Sequence, residues 1–185
     1  MLQNLSTAYG ENLTATPWDI YPRPQMRRDS WLNLNGEWDF ELDRGISGRD
    51  RRFFERTSLD SKITVPFCPE SKLSGIEDKD FMAAVWYKNE ITLTKEQVEN
   101  RVVFHFGACD YLTTLYVNEK KVGSHKGGYV SFSFDITDFV KEIIDEKIEQ
   151  TVKHILANGA GDGEGAFEDK VDDFTGEISY SEILT

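Results

Sequence analysis

The chain has 185 residues, 39% hydrophobic and 12% aromatic, with a formal net charge of −12. That composition supports a sizeable core and excludes a disordered chain, and the acidity makes nucleic acid and anionic membrane poor partners. No apolar run is long enough to span a bilayer, and the two cysteines, Cys68 and Cys109, lack CxxC spacing, which argues against a metal framework and for buried reduced thiols.

Met1–Asp19 is polar and without a strong period, a leading arm of the chain. It shows no basic region followed by an apolar run, so no signal peptide is visible and a cytoplasmic location is the expectation. Pro22 and Pro24 hold the chain extended before the solvated charge cluster Arg27-Arg28-Asp29. Leu32–Leu42 is the first strand region. Asn35-Gly36 signals a turn, after which Trp38, Phe40 and Leu42 alternate with Glu37, Asp39 and Glu41. That alternation makes Trp38 a core residue rather than a stacking platform for a ring ligand.

Arg44–Ser61 reads as a charged, irregular connection, followed by a short strand over Ile63–Pro66. Pro66 and Pro69 fix the path of the next loop. Glu77, Asp78 and Asp80 form a carboxylate cluster without cation-ligand spacing, so a solvated face is expected. Ala84–Leu93 is a strand with Val85, Tyr87 and Ile91 on one face and Trp86 opposite. Thr94 and Gln97 then stand at capping-box spacing.

Arg101–Asp138 reads as a β-meander. Val102–Phe106 is densely apolar, as in a strand buried on both faces, and Leu112–Val117 is rich in β-branched and aromatic residues. Asn118-Glu119 turns the chain into Lys121–Val122, and Gly127-Gly128 breaks it again. Tyr129–Ile136 then alternates, with Val130, Phe132, Phe134 and Ile136 on one face. Trp38, Phe104, Phe106, Phe132 and Phe134 are the expected core.

Composition shifts near Lys141: residues 141–185 hold 12 acids against 4 bases. Phe139–Leu156 reads as an amphipathic helix, with Val140, Ile144, Ile148, Val152 and Ile155 at three- and four-residue steps and Thr137 as a possible N-cap. A competing strand over Ile148–Leu156 would place Gln150 and His154 on the apolar face. Asn158–Ala166 is glycine-rich but has no phosphate-loop pattern, and Asp162, Glu164, Glu168 and Asp169 lack the EF-hand order, so a flexible acidic linker is expected. The expected organisation is a leading arm over 1–20, a mainly β, jelly-roll-type antiparallel sandwich over 21–140, and a divergent acidic tail over 141–185 with a helix and then a linker. If no strand closes the sheet after Ile136, an open edge would invite self-association.

Chemistry is sparse. Acids number 33, but none sits in a recognisable catalytic frame. His105, His125 and His154 fall in a strand, a hairpin and the helical stretch, and no GxSxG, HExxH or Cys–His signature occurs. No catalytic, cofactor-binding or metal-binding residue is assigned.

The motifs Phe106–Tyr111, Val117–Gly123, His125–Tyr129 and Phe132–Thr137 resemble the amino-terminal sugar-binding domain of glycoside hydrolase family 2, the group that includes β-galactosidases and β-glucuronidases. The likeness extends upstream through Tyr21–Gln25, Trp31–Trp38, Val65–Ser71 and Val85–Tyr87, and covers about Tyr21 to Val140. Glu119 departs from the family's VNG spelling. The resemblance implies a galactose-binding-domain-like sandwich whose catalytic glutamates lie on a later (β/α)8 barrel, a fold of roughly 200 or more residues that this length does not accommodate. It implies a non-catalytic sugar-binding accessory domain, truncated or misjoined here, with carbohydrate and the parent's barrel as partners. The alternatives are a free-standing carbohydrate-binding module and a structural sandwich without a sugar site. Exposure of Trp18, Trp86, Tyr87 and Tyr129 would separate those two. The family's sugar-contact acid finds no counterpart in Asn158–Thr185.

Overall fold

The computed structural model describes residues 7–140 throughout, and the backbone of 141, 149–159 and 181–184. Two sheets stack around one core. The strands are β1 (Trp31–Asn33), β2 (Gly36–Leu42), β3 (Ser61–Val65), β4 (Ala84–Thr94), β5 (Val102–Phe106), β6 (Leu112–Val117), β7 (Lys120–Lys126), β8 (Phe132–Asp135), β9 (Glu149–Gly159) and β10 (Ser181–Leu184). Among the described residues three short α-helices accompany them: α1 (Ala8–Glu11), α2 (Lys95–Glu99) and α3 (Thr137–Lys141). One sheet runs β1-β10-β5-β8, with β10 parallel to both neighbours; the other runs β3-β2-β4-β9-β6-β7 and is antiparallel throughout.

Alternation builds the core. Trp38 and Phe40 on β2 are 1% and 0% exposed, while Glu37 between the strand's start and Trp38 faces solvent. Phe104 and Phe106 come from β5 in the opposite sheet, and Leu115, Val117, Ile136 and Val140 complete the packing. Burying such a side chain contributes about 1.5–3 kcal/mol. The capping box at Thr94 forms: its hydroxyl accepts from Gln97 N, and the Gln97 side chain accepts from Thr94 N at 2.8 Å. The carboxylates expected to be solvated are partly tied, since Arg44 reaches Asp78 at 2.8 Å.

The helix expected over Phe139–Leu156 is not what forms. Thr137–Lys141 is helical, residues 142–148 lie outside the described residues, and Glu149–Gly159 is the strand β9, inserted between β4 and β6. Its register runs from Thr94↔Glu149 to Ala84↔Gly159 along β4, and from Val117↔His154 to Leu112↔Gly159 along β6. The reason lies in the backbone. Both neighbouring strands present rows of N–H and C=O groups that only a strand satisfies, and that demand outweighs a helical spacing carried by β-branched residues. The open edge expected there does not arise. The glycine-rich linker, apart from Asn158 and Gly159, lies outside the described residues, as does all of the tail beyond β9 except β10.

Phe132 and Phe134 are half-buried at the margin of the core rather than within it. Their strand lies at the sheet's edge, where one flank stays open to water. Phe134 packs onto Gly123 of β7, where an added Cβ would meet its ring at 2.7 Å.

The stretch Arg44–Ser61 is more than a charged connection. Phe53 (0% exposed) and Leu59 pack with Trp86 of β4 and Tyr116 of β6, on the outer face of the six-stranded sheet, with Phe54 against them. The Phe54 and Tyr116 rings stack at 4.8 Å, and Arg56 lies 3.7 Å over the Phe53 ring.

Candidate functional site

Charged groups cluster in two regions of the sandwich, and their partners separate them. Over the outer face of the six-stranded sheet the buried charges are answered by their neighbours. Arg56 pairs with the buried Glu41 at 2.6 Å. Asp43 accepts from Gly48 N at 2.6 Å, Ser47 N at 2.9 Å and the Trp86 indole at 3.2 Å. Burial pushes the Asp43 carboxyl up, but these hydrogen bonds together outweigh it and hold the group below its ordinary value. A polar groove beside this cover is lined by Glu37, Asp39, Lys62 and Lys88 among others. There Asp39 accepts from Lys62 at 2.5 Å and holds that ammonium above its ordinary value. These charges serve one another.

The loop end of the sandwich differs. A cavity of about 590 Å³ opens there between the two sheets. Its floor is Trp38 from β2, Val85 and Tyr87 from β4, and Phe106 from β5, which the strand alternation already turns inward. One rim is the loop Pro66–Glu70 leaving β3, the other is Gly107–Asp110 leaving β5, and Met82 closes a side. The Val65–Pro66 and Asp110–Tyr111 peptides at these rims are cis. Gly128 is packed against the Asp110 side chain so closely that an added Cβ would lie 2.8 Å from its Cγ, and Gly127 N donates to Tyr111 O at 2.7 Å. The β7–β8 hairpin thereby buttresses the rim that carries Asp110.

The polar groups of the cavity are Tyr87, Cys68, Cys109, Glu70 and Asp110. Burial pushes the Tyr87 phenol well above the usual tyrosine range, and the nearby Cys109 thiol, Glu70 carboxylate and Cys68 thiol add to the push. Among the described residues the Tyr87 hydroxyl has no hydrogen-bond partner, although the ring packs against Phe40 at 5.1 Å. Both cysteines are free thiols, but Cys68 is exposed on the rim and Cys109 half-buried, which corrects the expectation of two buried thiols. An aromatic floor with a few convergent polar groups suits a polyhydroxylated ring: apolar C–H faces meet the aromatic surface and hydroxyls meet the rim.

The other residues considered in the sequence scatter. Trp18 and Tyr129 are 71% and 97% exposed, while Trp86 is buried in the outer cluster and Tyr87 lines the cavity, so the four rings form neither a platform nor a core. His105 Nδ1 bonds the Ser133 hydroxyl, and His125 stacks on Phe132 at 3.9 Å. Among the described residues no group of three or more potential metal-ligating side chains occurs. The cavity itself escaped the sequence reading because four segments far apart in the chain build it; Val65–Ser71 and Phe106–Tyr111, singled out there as family motifs, were the signal.

Fold and cavity define a β-sandwich with an open cavity at its loop end. Residues 72–158 match the family described as glycosyl hydrolases family 2, sugar binding domain, a span that begins just after the first rim loop and ends in β9. The beta-glucuronidase of Felis catus is 31% identical over 134 residues, 66% of this chain and 20% of that protein. The beta-galactosidase of Thermoanaerobacter pseudethanolicus is 34% identical over 117 residues, 63% of this chain and 15% of that protein. Among solved structures, a β-glucuronidase of Ruminococcus gnavus in complex with D-glucaro-d-lactam shares the fold with a TM-score of 0.57 at 21% identity, over 68% of this chain and 21% of that one. Over residues 72–158 the chain belongs to the sugar-binding domain of glycoside hydrolase family 2. It spans about a fifth of the length of the curated relatives it matches.

Proposed function

We propose that this chain supplies the non-catalytic saccharide-contacting wall of a glycosidase that cleaves a β-glycoside, and that the loop-end cavity is the surface that meets the sugar. The observation that carries this reading is the cavity itself, with Trp38, Tyr87 and Phe106 at its floor and both carboxylates on its rim. Hydrolysis of a glycoside uses two carboxyl groups flanking the bond, one of them kept protonated by an apolar setting. Glu70 and Asp110 are both exposed rim groups without such a setting. The reaction is therefore assigned to a catalytic barrel domain, with which this sandwich associates.

Titration of the chain with methyl β-galactoside and methyl β-glucuronide, followed by saturation-transfer NMR, tests the reading. Millimolar binding and no turnover of aryl galactosides or glucuronides above a buffer blank are expected. Micromolar affinity in a strictly monomeric chain would favour a free-standing binding module. Turnover that vanished on substituting one acid of this chain would overturn the non-catalytic assignment.

A further inference from the structure

The rim of the cavity carries a charge pattern that the comparisons do not foreshadow. Its ionisable lining groups of negative sign are Glu70 on one loop and Asp110 on the other, and no Lys, Arg or His lines it among the described residues. Both carboxylates are exposed at the mouth. Lys126 of the neighbouring hairpin sits 5.4 Å from the Tyr111 ring and does not line the cavity; nor do Lys72 and Lys79, which follow the rim in the chain. The whole chain, at −12, adds to the same sign. A carboxylate ligand entering here meets two like charges and no counter-ion, whereas a neutral ring offers hydroxyl donors that the two carboxylates accept.

We propose that the cavity is a site for uncharged saccharides that discriminates against uronates, with Glu70 and Asp110 as its specificity-determining residues. This rests on the reading of the cavity as the sugar-contacting surface. It also runs against what the names of most of the relatives above would suggest, so it is a claim about this chain's own residues.

The two thiols allow the electrostatic part to be tested without any sugar. Cys68 and Cys109 line the same cavity, so the rate of their alkylation by neutral iodoacetamide relative to anionic iodoacetate reports the potential there. Compared with the same ratio for a small neutral thiol, the ratio at Cys68 is expected to be about fivefold higher at low salt, as for two like charges within a Debye length. It should fall toward the small-thiol value in about 0.5 M salt and in the variant carrying Glu70→Gln and Asp110→Asn. A ratio equal to the small thiol's in the wild-type chain overturns the inference.

The second arm uses the sugars. Methyl β-galactoside is expected to bind about fivefold more tightly than methyl β-glucuronide, and the double variant should close that gap. Equal or tighter binding of the uronide overturns the selectivity while leaving the saccharide site intact. A raised alkylation ratio with no binding of either sugar overturns the saccharide reading and the selectivity built on it, leaving only an anion-repelling cavity. Both substituted residues are exposed, so the variant retains the fold, which the thermal midpoint checks.

Discussion

The outer face of the six-stranded sheet and its loop end are both lined by charged and aromatic side chains, yet they are built for different ends. On the outer face, Arg56, Glu41, Asp43 and Trp86 are each bound to a neighbour, and the Phe53 ring fills the space beneath them. At the loop end, a phenol, two thiols and two carboxylates surround about 590 Å³ of open cavity. Charge and aromaticity alone do not mark a site; polar groups converging on unfilled space do. The comparison yields a simple expectation: substitutions on the outer face cost stability and leave ligand binding alone, and substitutions at the loop end do the reverse.

The largest effect should come from Phe53→Ala. The ring is fully buried and packed between Trp86 and two arginines, so its loss should cost about 3–5 kcal/mol in chemical denaturation. An unchanged midpoint would show that the cover is not a second core. Asp43→Ala comes next. It strands the Gly48 and Ser47 amides and the Trp86 indole, for about 2–3 kcal/mol. The sign of its pH dependence follows from the folded carboxyl lying below its ordinary value of 3.8. The wild-type chain gains stability from Asp43 above the unfolded value and loses it as pH falls through the folded one. The difference between wild type and Asp43→Ala should therefore shrink as pH is lowered below about 4.

Much of the sandwich was legible in the chain, because its strands are written locally. Trp38 and Phe40 alternate with acids, and Thr94 and Gln97 carry both halves of a capping box. The outer cover was not legible: Phe53 and Phe54 sit among Arg51, Arg52, Glu55 and Arg56 without a period, and their partners Trp86 and Tyr116 lie more than thirty positions away. β9 was ambiguous because its apolar residues fit both a helical and a strand spacing, and the unpaired backbones of β4 and β6 decide between them. Phe132 and Phe134 share a face in the sequence, but no local pattern says that their strand lies at an edge. The motifs named the cavity's rims without revealing that they face each other.

A smaller loss marks the boundary between the regions. Phe134→Ala should cost about 1–2 kcal/mol, below the value for a fully buried ring, because the side chain is only half-buried. Gly123→Ala should cost about 1–3 kcal/mol, since its Cβ would meet the Phe134 ring at 2.7 Å. The smallest effect on stability is expected for Tyr87→Phe, within about 1 kcal/mol, because the hydroxyl has no partner among the described residues to lose. Its effect should appear in sugar titrations instead, as weaker binding with an unchanged denaturation midpoint.

The central claim is that the loop end, and not the outer face, meets the saccharide. Amide chemical-shift mapping of the isotopically labelled chain, titrated with methyl β-galactoside, tests it most directly. The account predicts saturable shifts at Phe67–Glu70 and Gly107–Asp110, with the amides of Asp43–Leu59 unmoved. Shifts centred on the groove at Glu37, Asp39 and Lys62, or on the cover around Phe53, with the cavity rims silent, would contradict it.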